Sequence, residues 1–146
     1  MTQGPTRIRP DSVAAPMGPY AHAIAVPSSA EWLIVSGQTA VDQMGSVVAG
    51  GIEEQTRQVF RNLEGVLASA GFGFADVVKL TTYLTDDALV ETFRATRDES
   101  YAELFPDGAY PASTLAIVAG LARPEFLVEI EAIAARLVLV DDAHHR

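Results

Sequence analysis

A chain of 146 residues is about one domain long, enough to bury roughly 70% of its unfolded surface around one core. With 49% hydrophobic and 20% charged residues it is too apolar for a disordered polyelectrolyte. Ten basic against 19 acidic side chains leave a net charge of -9, the wrong sign for gathering phosphates by counterion release, so nucleic-acid binding is disfavoured.

Residues 1–9 hold two arginines with no apolar stretch behind them, so no signal peptide is expected. Segments 21–26 and 31–36 flank the Pro27-Ser28-Ser29 turn, and a short Ser46-Val47-Val48 piece follows a turn at Gly45. These predict an antiparallel meander of three strands. From 52 to 70, Val59, Phe60, Leu63, Val66, Leu67 and Ala70 fall on one stripe of a 3.6-residue helix, with Gly71 as its stop. The Gly71-Phe72-Gly73-Phe74 segment begins like a dinucleotide loop, but Asp76 stands where the third glycine belongs and a helix precedes it. It reads as a helix-to-strand turn.

Residues 77–84 are rich in β-branched side chains and predict a strand, followed by a helix over 87–105 capped by Asp86 or Asp87 and ended by Pro106. Strands are predicted at 113–118 and 126–135. The longest near-apolar run, 115–122, is eight residues against the roughly 20 of a membrane helix, so no membrane association is expected. Residues 141–146 read as a polar tail.

The predicted order is βββαβαββ, an α+β chain of one domain over 1–146 with two helices on one face of a mixed sheet. Two helices cannot cover both faces of a sheet whose apolar residues, Leu115, Ile117, Val118, Ile130 and Ile133, occupy both parities. With no further helix available, another copy of the same sheet is the simplest cover, which implies a closed symmetric oligomer.

Most sharp catalytic motifs are absent. There is no phosphate-binding lysine loop, no His-Glu-x-x-His and no Gly-x-Ser-x-Gly elbow. The absence of cysteine excludes disulfides, thiolate nucleophiles and sulfur-ligated zinc, and fits a cytoplasmic location. His144 and His145 are adjacent in the tail and His22 stands alone beside Tyr20, so no metal site is expected and His22 reads as solvated or structural.

The informative pattern is Val128-Glu129-Ile130-Glu131-Ala132, in which strand parity puts both glutamates on one face about 6 to 7 Å apart. A half-buried carboxylate loses solvation, which raises its pKa and prepares it to act as a general base. Alternatively both glutamates pair with Lys79 or Arg136 as solvated sheet-surface charges, and spacing alone favours that reading.

Met17-Gly18-Pro19-Tyr20, Val35-Ser36-Gly37-Gln38, Tyr110-Pro111-Ala112-Ser113-Thr114 and Val128-Glu129-Ile130-Glu131-Ala132-Ile133-Ala134 occur in that order. Over about residues 12–137 the chain resembles the RidA/YjgF family of reactive-intermediate (enamine/imine) deaminases. The resemblance implies a chorismate-mutase-like subunit and a homotrimer whose sheets form a central barrel with three ligand clefts between subunits. It also implies cofactor-free hydrolysis of 2-imino acids, released by pyridoxal-phosphate enzymes, to 2-keto acids and ammonia. Carried over by position, Tyr20 would line the cleft, Ser36 and Gly37 would meet the ligand, Gly37 through its backbone, and Glu129 would orient the attacking water.

The chain also departs from that family. Ser113 stands where the family's deaminases carry a carboxylate-clamping arginine, Asp98 corresponds to a cleft-facing asparagine, and Leu115 to a cysteine. These changes remove a positive charge from the expected pocket and add a negative one, unless Arg123, in the loop before the last strand, substitutes. The expectation is a hydrolase of an enamine, imine or related small C–N compound outside the 2-imino acid set. The alternative is a non-catalytic metabolite-binding member of the same trimeric fold. A third reading, the endoribonuclease or translation inhibitor named for some relatives, is poor for a chain of net charge -9.

Overall fold

The apolar stripe around Val59 and Leu63 does form a helix, α1 (Ile52–Ser69), in a computed structural model that describes residues 3–138. Its first turn is closed by the Glu54 carboxylate, which accepts the Gly51 amide at 2.8 Å. The chain leaves it through Gly71 at φ +76°, backbone that glycine enters without strain. Ile52, Val59, Phe60, Leu63 and Leu67 are buried, whereas Val66 and Ala70 of the predicted stripe fall on its exposed edge. The second helix enters in two steps. The Asp86 carboxylate accepts the Ala88 amide at 2.9 Å and starts a single 3-10 turn, Asp87–Leu89, from which α2 (Val90–Leu104) continues to the stop at Pro106.

The described residues also form six strands: β1 (Thr6–Ile8), β2 (Ala23–Ala25), β3 (Ala30–Gln38), β4 (Val77–Leu84), β5 (Ala112–Ile117) and β6 (Val128–Leu137). Four of them form a mixed sheet in the order β3-β6-β4-β5, parallel only between β4 and β5. The element order is the predicted βββαβαββ, with 21–26 and 31–36 forming β2 and β3, but β1 was not predicted and takes the place of the predicted third strand at 46–48. No meander forms, because β2 pairs antiparallel with β1, not with β3. Three residues of β1 are too few to display an alternation in sequence. Residues 46–48 are not a strand either, and only an isolated bridge joins Val41 to Val47. There the Asp42 carboxylate accepts the Met44 and Ser46 amides at 2.9 and 3.0 Å, curling the chain into a tight turn that leads straight to α1.

Alternation along β4 and β6 decides which side chains face the helices. Leu80, Leu84, Val128, Ile130, Ala132 and Ala134 are buried in one cluster with Val59, Phe60, Leu63 and Leu67 of α1 and Phe93 and Tyr101 of α2. Both helices therefore cover the same face. On the opposite face lie Thr81, Tyr83, Glu129, Glu131 and Ile133, and along β3 Trp32 and Ile34 remain 51% and 72% exposed. Neither helix covers this side of the sheet, and among the described residues no helix is long and apolar enough to cross a membrane.

Candidate functional site

Glu129 and Glu131 share the open face, as parity required, but their surroundings differ. Tyr83 stands opposite Glu129 across the β4–β6 ladder, yet its hydroxyl leans diagonally and donates to Glu131 Oε1 at 2.9 Å. That hydrogen bond, followed by loss of solvent and the charges of Glu131 and Glu129, raises the Tyr83 pKa above the ordinary tyrosine value. The phenol stays a neutral donor and Glu131 is its acceptor. The Glu129 carboxylate, half-buried, accepts no hydrogen bond from the described residues.

What holds Glu129 in place is a close approach to β3. The ladder between β3 and β6 slips one residue between Val35 and Gln38, a bulge that brings Gly37 beneath the Glu129 side chain. A Cβ at Gly37 would stand 2.8 Å from Glu129 Cδ and 2.9 Å from Cγ, inside van der Waals contact. Gly37 is thus required by the space that Glu129 occupies. Ser36, its neighbour in the bulge, is exposed.

The expected pairing of both glutamates with Lys79 or Arg136 does not occur. Lys79 faces Ile133 in the register and reaches across to β5, donating to Thr114 Oγ1 at 2.7 Å. Arg136 lies opposite Glu31, pairs with it at 3.3 Å, donates to the Gly71 carbonyl and sits 4.1 Å above the Phe72 ring. Both cations are engaged elsewhere, and neither forms an ion pair with Glu129 or Glu131.

A second group gathers at the start of β5. The Ala21 amide donates to the Pro111 carbonyl at 3.0 Å and Ala21 bridges to Ala112, so Tyr20 runs alongside the strand that carries Ser113. Tyr20 lines a cavity of about 590 Å³ together with Arg7, Arg9, Asp11, His22 and Tyr110. The loop over this cavity is tied down at two points: the Ala14 carbonyl accepts from His22 Nε2 at 2.7 Å, and the Tyr20 hydroxyl accepts the Met17 amide at 3.4 Å. His22 is therefore a structural histidine.

Ser113 registers with Leu80 and Leu115 with Thr82, which puts both on the helix-facing side of β5. Ser113 is exposed at the sheet's edge, while Leu115 packs against the core. Asp98 projects from the outer side of α2 and accepts from Arg97 Nε and Nη2 at 3.0 and 2.9 Å. Arg123 sits 5.6 Å above the Phe126 ring in the loop before β6.

One chain thus holds two separated sets of expected site residues. Ser36, Gly37 and Glu129 share β3 and β6, while Tyr20 and Ser113 lie at the far edge of the sheet. Glu129 pairs with Tyr83 and Tyr83 with Ala116, so Ser113 is two strands across and three residues along. At about 4.8 Å per strand and 3.3 Å per residue the separation is about 14 Å, with the side chains on opposite faces. The reach of Tyr83 to Glu131, and the place of Arg7 and Arg9 in the cavity wall, were not legible in the sequence, because they depend on register and on the short β1. Among the described residues no three His, Asp or Glu side chains gather as a metal ion would require, and His144 and His145 lie outside those residues.

Comparison with known proteins follows the same lines. A family model described as endoribonuclease L-PSP matches residues 11–136. A RutC family protein of Pyrococcus horikoshii is 38% identical over 125 residues, covering 85% of this chain and 92% of that protein. The 2-iminobutanoate/2-iminopropanoate deaminase of Mus musculus is 38% identical over 123 residues, covering 84% of each chain. Among solved structures, a Rid-family protein of unknown function from Yersinia pestis gives a TM-score of 0.76 at 36% identity, covering 90% of this chain and 98% of that one. The YjgF protein of E. coli gives 0.65 at 30% identity, with 88% and 97% covered.

Proposed function

Because the chain belongs to the endoribonuclease L-PSP family, also known as RidA/YjgF, we propose that it is a cofactor-independent hydrolase that deaminates a small enamine, imine or related C–N metabolite. Its cleft forms between copies of the chain in a homotrimer, with Glu129, Gly37 and Ser36 from one copy and Tyr20 and Ser113 from its neighbour. The apolar side chains Trp32 and Ile34, exposed on the uncovered sheet face, support the barrel of three sheets that such a trimer needs.

The observation that carries the reading is the asymmetry between the two glutamates: Tyr83 engages Glu131, while Glu129 rests on Gly37 and its carboxylate accepts no hydrogen bond from the described residues. A protonated C=N group presents an electrophilic carbon. Water adds its oxygen to that carbon, Glu129 takes the water's proton and returns it to nitrogen, and the protonated carbinolamine collapses, expelling ammonia and leaving a carbonyl as its hydroxyl proton passes to Glu129. No redox step or metal is needed to balance this reaction. A net charge of -9 supplies no field to gather a polyanion, which disfavours ribonuclease action by this chain.

Deaminases named for 2-iminobutanoate and 2-iminopropanoate are among the relatives, but Ser113 offers no cation to a carboxylate adjacent to the C=N carbon. Loss of a charge-assisted bidentate pair reduces turnover at low substrate by about tenfold to 100-fold. Ammonia release is therefore measured over a panel of imines and enamines generated in situ, 2-iminobutanoate included. Weak turnover of 2-iminobutanoate is expected beside stronger turnover of another member, and Glu129→Gln should lower the latter by about 10² to 10⁴. Full activity in a folded Glu129→Gln variant contradicts the assignment. Binding without ammonia from any member makes the chain a metabolite-binding protein.

A further inference from the structure

We propose that Glu131 is a positioning residue for Glu129: it draws the Tyr83 hydroxyl to itself and so keeps the Glu129 carboxylate without a hydrogen-bond donor. The inference rests on the hydrolase reading of Glu129 and deepens it, because it explains why one of two neighbouring glutamates on the same strand serves as the base.

The first argument is register. Tyr83 stands directly opposite Glu129 on the β4–β6 ladder, and Thr81 stands opposite Glu131. Directly opposed side chains are the closest cross-strand neighbours, so Glu129 is the acceptor that position alone would give to Tyr83. The hydroxyl instead takes the diagonal and donates to Glu131 Oε1 at 2.9 Å. Without Glu131, a half-buried phenol is left with Glu129 as the carboxylate across the ladder, and a donor short of a partner turns to that acceptor. Tyr83 remains a donor throughout, since the hydrogen bond to Glu131, loss of solvent and the two carboxylate charges all raise its pKa.

The second argument is the direction in which the two carboxylates lean. Strand β6 lies between β3 and β4. Glu129 extends over Gly37, on the β3 side, where a Cβ would stand 2.8 Å from its Cδ, whereas Glu131 reaches Tyr83 on the β4 side. The bare backbone at Gly37 gives Glu129 room to lie away from the phenol, and Glu131 occupies the hydroxyl. Lys79, on the same strand as Tyr83, donates to Thr114 Oγ1 at 2.7 Å and forms no ion pair with either glutamate. A tyrosine donating to Glu129 would occupy a lone pair that has to receive the water's proton, and a charge-assisted hydrogen bond of that kind weakens a base by about tenfold to 100-fold.

The test begins without substrate, on the full chain carrying isotope-labelled glutamate carboxyls read by NMR at neutral pH. Tyr83→Phe, which keeps the ring, should displace the Glu131 carboxyl signal and leave that of Glu129 in place. In a Glu131→Leu chain the same change should displace the Glu129 signal, because the hydroxyl has moved there. Glu131→Ala, run beside it, removes the acceptor without adding bulk to the sheet face. With the best-used member of the imine and enamine panel, Glu131→Leu should lower kcat by about tenfold or more with little change in KM. Adding Tyr83→Phe should restore most of that loss, a rescue that a merely structural Glu131 would not show. Full turnover in Glu131→Leu, failure of Tyr83→Phe to restore it, or a Glu129 signal that ignores Tyr83→Phe in either Glu131 variant each overturns the proposal. Signals displaced as expected, in a protein that releases ammonia from no substrate, support the positioning role and sink the catalytic reading alone.

Discussion

At the scale of single residues, strand parity in the sequence places Glu129 and Glu131 together on one face, and it stops there. What separates them is the reach of Tyr83 along the diagonal of the ladder and the bulge in β3 that slides Gly37 under Glu129. Both depend on register, which no single segment encodes. Gly37 gives the sharpest residue-scale prediction. Its φ is not in the left-handed region, so alanine fits the backbone, but the added Cβ falls on the Glu129 side chain. Glu129 is half-buried and flexible enough to swing aside. Gly37→Ala should therefore change stability by about 1 kcal/mol or less while lowering turnover by about tenfold or more. Thermal melts beside ammonia release check this, and a fully active Gly37→Ala variant contradicts the placement of Glu129. Asp98 and Ser113 show the other limit of a sequence reading: alignment assigns them positions, whereas their partners emerge only in three dimensions.

The elements divide according to how much of their burial is local. Helix α1 and strands β4 and β6 were legible because each carries its own periodicity, and α2 because a cap and a proline bracket it. Strand β2 was legible within 21–26, but β1 and its pairing with β2 were not, since a three-residue strand has no period to detect and Arg7 occupies its middle. The loop between β5 and β6 depends on a side chain from a distant element. Buried Gln55 of α1 donates to the Glu125 carbonyl at 2.8 Å and accepts the Leu127 amide at 2.9 Å, setting the angle at which β6 enters with Glu129. Gln55→Ala orphans both backbone groups and should cost about 2 kcal/mol. Denaturant melts measure that loss, and amide exchange at Leu127 should accelerate more than at Ile130 in the sheet centre. Equal acceleration at both positions would mean that Gln55 supports the fold at large and not this loop.

For the whole molecule, apolar residues on both strand parities anticipated a sheet that two helices cannot cover, and Trp32 and Ile34 stand exposed on that face. The same geometry leaves Glu129 about 14 Å from Ser113 within a chain, too far for one small molecule to touch both. Subunit complementation shows whether the proposed cleft draws Glu129 from one copy and Tyr20 from its neighbour. Glu129→Gln and Tyr20→Ala chains, each inactive alone, are unfolded together in equal amounts, refolded, and assayed for ammonia release. In a randomly mixed cyclic assembly roughly one cleft in four receives an intact Glu129 from one chain and an intact Tyr20 from the next. Recovery to about a quarter of the parent activity is the predicted result. No recovery above the separate variants, in a mixture shown to exchange subunits, would mean that each active site lies within a single chain.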